Sequence, residues 1–358
     1  MNNEGNYETG MYEAEGMYGE AESGIGLETG EAPHPTFGMV TPLSGESGEH
    51  ENFEQYQGEY LEAPTGASSM VPHPVFGMVR PLGARASEVF EAEEEIIGTG
   101  DERFRVTNTT PGPYRWMCFL ELRFPGFLAS GSGLLISPRH VLTCGHNLFD
   151  HHSKTAAAAV TVTPGCNGVS NRPFGHHAAT AWRTTTQWRA SPNARFDFGL
   201  ITLRHPIGNQ RMRAIGNHTL DHWGKPGTHT LLVPIQPGST AFRGKRVTVS
   251  GYPGDKAPGE QWAANGIVTS VTPNGVRELI FYTADTCAGH SGSPVWFRRG
   301  NDLCLFAIHT GPCIAGPDCQ LLGRSRCSNT PTWTGASSNR AVLFSPTVWA
   351  RVRGWMGP

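Results

Sequence analysis

Ala288-Gly289-His290-Ser291-Gly292-Ser293-Pro294-Val295 is the stretch from which the rest of the chain can be read. A serine flanked by glycines sits on a backbone able to turn tightly, which exposes its oxygen while neighbouring amides converge on one point. A nucleophile with an anion-holding pocket needs that arrangement. Small-residue loops around serine occur in many proteins, so this stretch takes its meaning from two companions. His146 ends the apolar run His140-Val141-Leu142-Thr143 after Cys144-Gly145 and is placed to act as a general base. Asp197 opens Asp197-Phe198-Gly199-Leu200-Ile201-Thr202-Leu203 as a carboxylate at the mouth of an apolar strand, where it can hold one histidine tautomer. Read singly, His146 is one of 15 histidines and Asp197 resembles a turn cap.

Around these residues the pattern is of short runs rich in β-branched, aromatic and leucine side chains, ended by Gly, Pro and Asn turns. Strands are expected over 116–124, 133–136, 140–143, 198–203, 231–235, 247–250, 266–271, 279–283, 294–297 and 303–309. Long helical periodicity is absent between them. Ser345-Pro346 caps and starts a last run through Val348, Trp349, Val352 and Trp355 at helical spacing. The fold class is therefore all-β, with two barrels and a C-terminal helix.

Composition divides the 358 residues near position 95. Residues 1–95 hold 19 glutamates, no aspartate, and only Arg80 and Arg85 as fixed positive charges, a net −17. The remainder holds 26 basic and 12 acidic residues, a net +14. An acidic segment poor in apolar residues cannot offset its ordering entropy, so most of 1–95 is expected to be disordered or to fold against the basic domain. Within it, residues 33–43 (PHPTFGMVTPL) return as 72–82 (PHPVFGMVRPL). Two copies are too few for a solenoid, and we read them as docking peptides or as a duplicated linker. An acidic run then ends at Glu93-Glu94-Glu95 before Ile96-Ile97-Gly98.

All eight cysteines follow residue 100, an even number that suits disulfides in an oxidising compartment, with free thiols in a cytosolic enzyme as the alternative. Residues 1–22 lack the basic start and apolar centre of a secretory signal, so export is expected without a recognisable signal peptide, and a cytoplasmic location stays open. No apolar run has membrane-spanning length, and no membrane partner is expected. The pairs His151-His152 and His176-His177 are read as solvated loop residues. There is no His-Glu-x-x-His and no paired Cys-x-x-Cys, and neither a metal nor another cofactor is expected. The +14 domain would attract phosphates but carries no recognisable nucleic-acid module, so no nucleic-acid partner is expected. The expected partners are peptide substrates and the chain's own segment 1–95, with the protein a monomer.

Together, His146, Asp197 and Ser291 in that chain order resemble the chymotrypsin-like proteases, and more closely the glutamyl endopeptidases of the staphylococcal type. The resemblance runs from about residue 96 to the end. Its marks are Ile96-Ile97 with Val106-Thr107-Asn108-Thr109-Thr110, the run from Val141 to His146, Asp197 to Ile201, Gly251-Tyr252-Pro253-Gly254-Asp255-Lys256, Gly289 to Val295, and Ile308-His309-Thr310-Gly311. It implies two six-stranded antiparallel barrels, a triad of His146, Asp197 and Ser291, and an oxyanion hole from the Gly289 and Ser291 amides. It also implies hydrogen bonds from Thr286 and His309 to a substrate glutamate. Ile96 would be the mature N-terminus, released by cleavage after Glu95, and its amine would help bind that carboxylate. Domains of 1–95 (pro-segment) and 96–358 (protease) follow. Trypsin-like enzymes carry an aspartate just before the nucleophile; this chain has His290, and the glutamyl endopeptidases likewise lack the aspartate. Cys287 occupies a half-cystine position of the superfamily, with Cys313 near its expected partner. The competing readings are a silent binding module that keeps the fold, and a serine protease of other specificity recruited to an assembly by its repeats.

Overall fold

Runs of β-branched and aromatic residues between turn formers become twelve barrel strands. The computed structural model describes residues 39–40, 71–73, 77–81, 94–95, 100–237, 239–271, 279–314 and 336–357. The first six strands are β1 (Met117–Phe124), β2 (Phe127–Leu135), β3 (His140–Thr143), β4 (Ala159–Pro164), β5 (His177–Thr184) and β6 (Gly199–Leu203). They pair in the cyclic order β2-β1-β4-β5-β6-β3, and Leu134↔Leu142 closes β3 back onto β2. The second six are β7 (Arg246–Gly251), β8 (Trp262–Val271), β9 (Leu279–Tyr282), β10 (Pro294–Arg299), β11 (Asp302–Ile314) and β12 (Ala336–Leu343). Their order is β11-β10-β7-β8-β9-β12, closed by pairing of β12 with β11. Two closed six-stranded antiparallel barrels are what the resemblance implied.

Two short helices flank the strands, α1 (Thr186–Ala190) and α2 (Pro346–Met356). α2 begins as expected: the Ser345 hydroxyl accepts from the Val348 amide at 3.1 Å and proline fills the first turn. Its buried face is Val348, Val352 and Trp355. Trp355 lies against Phe198 with ring centroids 5.6 Å apart, so the last element braces the residue after Asp197. No helix among the described residues is long and apolar enough to cross a membrane.

A seam of aromatic side chains joins the barrels. Trp223 contacts Trp116, just before β1, and Trp296 on β10, at centroid distances of 6.4 and 5.7 Å. The indole N–H of Trp116 donates to Leu220 O, and that of Trp223 to Leu231 O, so these large side chains are buried without stranding their polar atoms. The Tyr252 hydroxyl, after β7, donates to Met117 O at 3.1 Å and reinforces the seam.

Three expectations change. The expected strand 231–235 is only Thr230–Leu232 and runs parallel to β11 outside the barrel cycle. The histidine pairs are not simply solvated. His151 is half-buried, with Nε2 2.6 Å from Trp188 O, and His177 starts β5 with Nε2 2.8 Å from Phe174 O; His152 and His176 are exposed. The even cysteine count does not mean four bridges: Cys118, Cys144, Cys166 and Cys304 are buried free thiols. Cys287 is disulfide-bonded, and its partner lies outside the described side chains; the side chain of Cys313 is likewise outside them.

Most of the acidic segment, on which the expected disorder falls, lies outside the described residues, as does Ile96. Its described parts are backbone pairings. Met39 and Val40 stand opposite Arg183 and Trp182 of β5. Val71–His73 pairs with Gly77–Pro81, which in turn adds to β2 through Val79↔Ala129. Glu94 and Glu95 pair antiparallel with Cys287 and Thr286.

Candidate active site

The first barrel supplies a histidine and a carboxylate held together at both ends. β3 delivers Cys144-Gly145-His146 to a tight turn, and Asp197 leaves a short 3-10 turn just before β6. Asp197 Oδ1 accepts the His146 backbone amide at 2.8 Å, and Oδ2 lies 2.7 Å from His146 Nδ1. Both residues are buried, at 5% and 2% exposure. Bonding to the main chain and the ring of the same residue fixes the imidazole plane and keeps Nδ1 protonated, which leaves Nε2 as the basic nitrogen. Burial works against the charged ring. The adjacent Asp197 carboxylate more than offsets it and holds the His146 pKa well above the ordinary histidine value.

The second barrel brings the serine loop to this pair, and residues of the first barrel stitch it in place. Ser132 on β2 donates its amide to Ser291 O at 2.9 Å and its hydroxyl to Gly289 O at 2.8 Å, while accepting from the Tyr252 amide. Asn147, next to His146, donates Nδ2 to Ser291 O at 2.9 Å. Within the loop, His290 N donates to Cys287 O and Ser293 N to His290 O, both at 2.8 Å. Gly289 and Gly292 have φ of +99° and +88°, and a Cβ on Gly292 would stand 2.1 Å from Ser132 O, so both positions require glycine. Among the described residues the Gly289 and Ser291 amides donate to no backbone carbonyl, and both lie on the loop whose carbonyls are already engaged.

His290 is fully buried, and its Nδ1 accepts the Cys287 amide at 3.1 Å. Burial, then the nearby Arg103 charge, pushes its pKa well below the ordinary value. The position before Ser291 is thus neutral and offers no counter-charge to an ammonium, as the departure at His290 foretold.

Thr286 and His309 are both fully buried. His309 exchanges backbone hydrogen bonds with the serine loop, donating to Ser293 O and accepting from Gly292 N at 2.9 Å each. Its Nδ1 lies 2.5 Å from the Tyr282 hydroxyl, which fixes the ring. Thr286 pairs with the Glu95 backbone, so the site and the expected cleavage point are neighbours.

Just beyond that point, the Arg103 side chain is 1% exposed and lies between two carboxylates. Its Nε and Nη2 donate to Asp101 at 2.7 Å each, and Nη1 and Nη2 to Asp255 at 2.9 and 2.6 Å. Lys256 reaches Asp101 at 3.0 Å, and the Glu102 amide donates to Asp285 Oδ2 at 2.7 Å.

Sequence reading missed Ser132, Asn147, Cys144 and Arg103. The alternation Gly131-Ser132-Gly133 inside a strand was the available signal for Ser132, since glycine there marks a close backbone approach. A Cβ at Gly131 would meet the Asn147 side chain at 2.6 Å. Arg103 had no local signal, because its partners lie far along the chain.

Residues 131–303 match the family model of the trypsin-like peptidase domain. Two barrels with a histidine, a carboxylate and a glycine-bracketed serine at their seam give the chain the chymotrypsin-like fold. In sequence it is similar to a glutamyl endopeptidase of Bacillus licheniformis, 35% identical over 62% of this chain and 63% of the relative. It is also similar to a Bacillus subtilis protein called an extracellular metalloprotease, 31% identical over 60% and 62%. The chain thus spans a little under two thirds of the length of these relatives. A solved structure of a Glu endopeptidase in complex with MPD superposes with a TM-score of 0.53 at 22% identity, over 74% of this chain and all of that one.

Proposed function

We propose that the protein is a serine endopeptidase that cuts after glutamate, and less well after aspartate. The observation that carries this is the buried His146–Asp197 pair, doubly hydrogen-bonded, beside a serine loop fixed by Ser132 and Asn147. In this reading His146 Nε2 takes the Ser291 proton as Oγ attacks the carbonyl, then returns it to the leaving amine; Asp197 holds the tautomer and stabilises the imidazolium. The Gly289 and Ser291 amides receive the oxyanion. Thr286 and His309 hydrogen-bond the substrate carboxylate, with the Ile96 amine as the charged partner after cleavage following Glu95. A carboxylate-matched pocket left facing a neutral side chain would lose its hydrogen bonds, which is the source of selectivity. Similarity to a named glutamyl endopeptidase supports the specificity. We also assign 1–95 as a pro-segment that docks on 96–358, and an exported protein, consistent with the extracellular label of one relative.

The name of that relative raises a metal-dependent alternative. Among the described residues, one group of three or more metal-ligating side chains comes together: Cys144, His146 and Asp197. Asp197 is bonded to Nδ1 while the thiol faces Nε2, so the three do not present one coordination face for a catalytic zinc. The serine mechanism is the better fit.

The test is Ser291→Ala with a peptide library. Activity should fall by about 10⁶-fold with the fold retained, and cleavage by the parent protein should follow Glu. Substantial turnover by the variant would overturn the triad, and dominant cutting after Arg, Lys or Phe would overturn the pocket. A phosphonylating reagent that labels Ser291 stoichiometrically separates an enzyme from a silent binding module.

A further inference from the structure

The Cys144 thiol has no place in the chemistry above, yet it lies against the base. Its Sγ is 3.3 Å from His146 Nε2, fully buried and not in a disulfide. We propose that Cys144 and His146 form a binding site for a thiophilic divalent cation, zinc or cadmium, and that occupancy switches the proposed peptidase off. The inhibitory half of this rests on the triad reading; the binding half does not.

Zinc bonds of about 2.3 Å to sulfur and 2.0–2.1 Å to nitrogen, at a tetrahedral angle, place the two ligand atoms about 3.5 Å apart. Cys144 Sγ and His146 Nε2 already stand close to that separation, on a rigid turn held by Asp197. The carboxylate completes the arrangement from the far side. Asp197 Oδ2 at 2.7 Å from Nδ1 is the carboxylate–histidine relation that orients metal-bound imidazoles and raises their basicity. Asp197 therefore acts on the ion through the ring, not as a ligand.

Binding balances without a redox partner. The S–Zn bond forms as the S–H bond breaks, the proton leaves to solvent, and Nε2 donates its lone pair to the ion. That lone pair is the one required to accept the Ser291 proton, so metal and catalysis exclude each other. Water fills the remaining coordination positions. The buried thiol costs more to deprotonate than an exposed one, since burial raises the Cys144 pKa, and the soft sulfur–metal bond has to offset that cost. A hard cation such as magnesium gains nothing from a thiol and should not bind here.

The test titrates cadmium into the full chain carrying Ser291→Ala and follows the ultraviolet sulfur-to-cadmium charge-transfer absorption, a readout independent of peptidase activity. One equivalent should develop the band in the parent, and Cys144→Ala and Cys144→Ser should each lose it; the other buried thiols give the same background in all three. In the Ser291 form, zinc should inhibit reversibly, with a chelator restoring the rate. Each variant is compared with its own metal-free rate. Loss of the thiol should raise the half-inhibiting zinc concentration by more than about 100-fold, beyond the effect of losing an outer partner. An undiminished band in both cysteine variants overturns the site. A lost band with unchanged zinc inhibition shows that inhibition arises at surface histidines and overturns the switch.

Discussion

At the scale of single residues, the His146–Asp197 pair makes a claim about pH. Because the imidazole holds its proton to a pH above the ordinary histidine value of about 6.5, and catalysis requires Nε2 unprotonated, activity should rise with pH along a limb centred above that value. Asp197→Asn removes the charge that raises the pKa and favours the wrong tautomer. The limb should move to lower pH, while kcat falls by about 10⁴-fold. A pH–rate profile of both proteins reads the two effects, and an unmoved limb would sever Asp197 from the base. The same shift has a stability sign. The protonated ring favours the folded state fully below the unfolded pKa, and that contribution is lost as pH climbs through the raised folded value. His146, Asp197 and Ser291 were legible in the sequence because each ends or begins an apolar run or sits among glycines. Ser132 and Asn147 were not, because their work is to hold the backbone of residues more than 140 positions away.

Among elements, α2 offers the cleanest local test. Ser345→Ala removes the hydroxyl that accepts the Val348 amide and should cost about 1 kcal/mol. In a domain of this size that lowers Tm by about 2–4 °C, and the catalytic rate below Tm should be unchanged; a calorimetric scan and an assay decide it. A strong loss of activity at an unchanged Tm would mean that α2 does more than brace Phe198. The sequence showed this helix plainly, through a cap, a proline and four apolar positions at helical spacing. It showed β1, β3, β6, β7, β9 and β10 nearly as well, since their apolar runs end at turns. β5 escaped because His177-Ala178-Ala179-Thr180-Ala181 marks neither face with bulk. β12 escaped for the opposite reason: it buries Asn339 and Arg340, with Asn339 Nδ2 donating to Ala284 O at 2.7 Å and Arg340 Nε to the Thr310 hydroxyl at 3.4 Å. A strand that buries polar atoms against distant partners gives no hydrophobic alternation to read.

For the whole molecule, opposite charges of −17 and +14 on one chain support the proposed maturation. Three forms separate its parts: the full chain with Glu95→Gln, the domain beginning at Ile96, and that domain with one extra N-terminal residue. The Ile96 form should be the most active toward glutamyl substrates, the extended form weaker because its amine is displaced, and the Glu95→Gln form nearly silent. Spontaneously matured protein should sequence as Ile-Ile-Gly-Thr-Gly. Equal activity in all three would end this account and leave the triad standing. The anchor around Arg103 gives the scheme a further property, that of a leash. Glu102 is tied to Asp285, the neighbour of Thr286, and Ile96 is six residues earlier. Six residues reach at most about 20 Å, so an end freed at Ile96 is confined to a small sphere around the pocket. Its effective concentration there is on the order of millimolar, as for partners joined by a short linker. The new terminus therefore competes for its place without depending on how dilute the protein is, and dilution that disperses a severed pro-segment leaves the activated end where it was made.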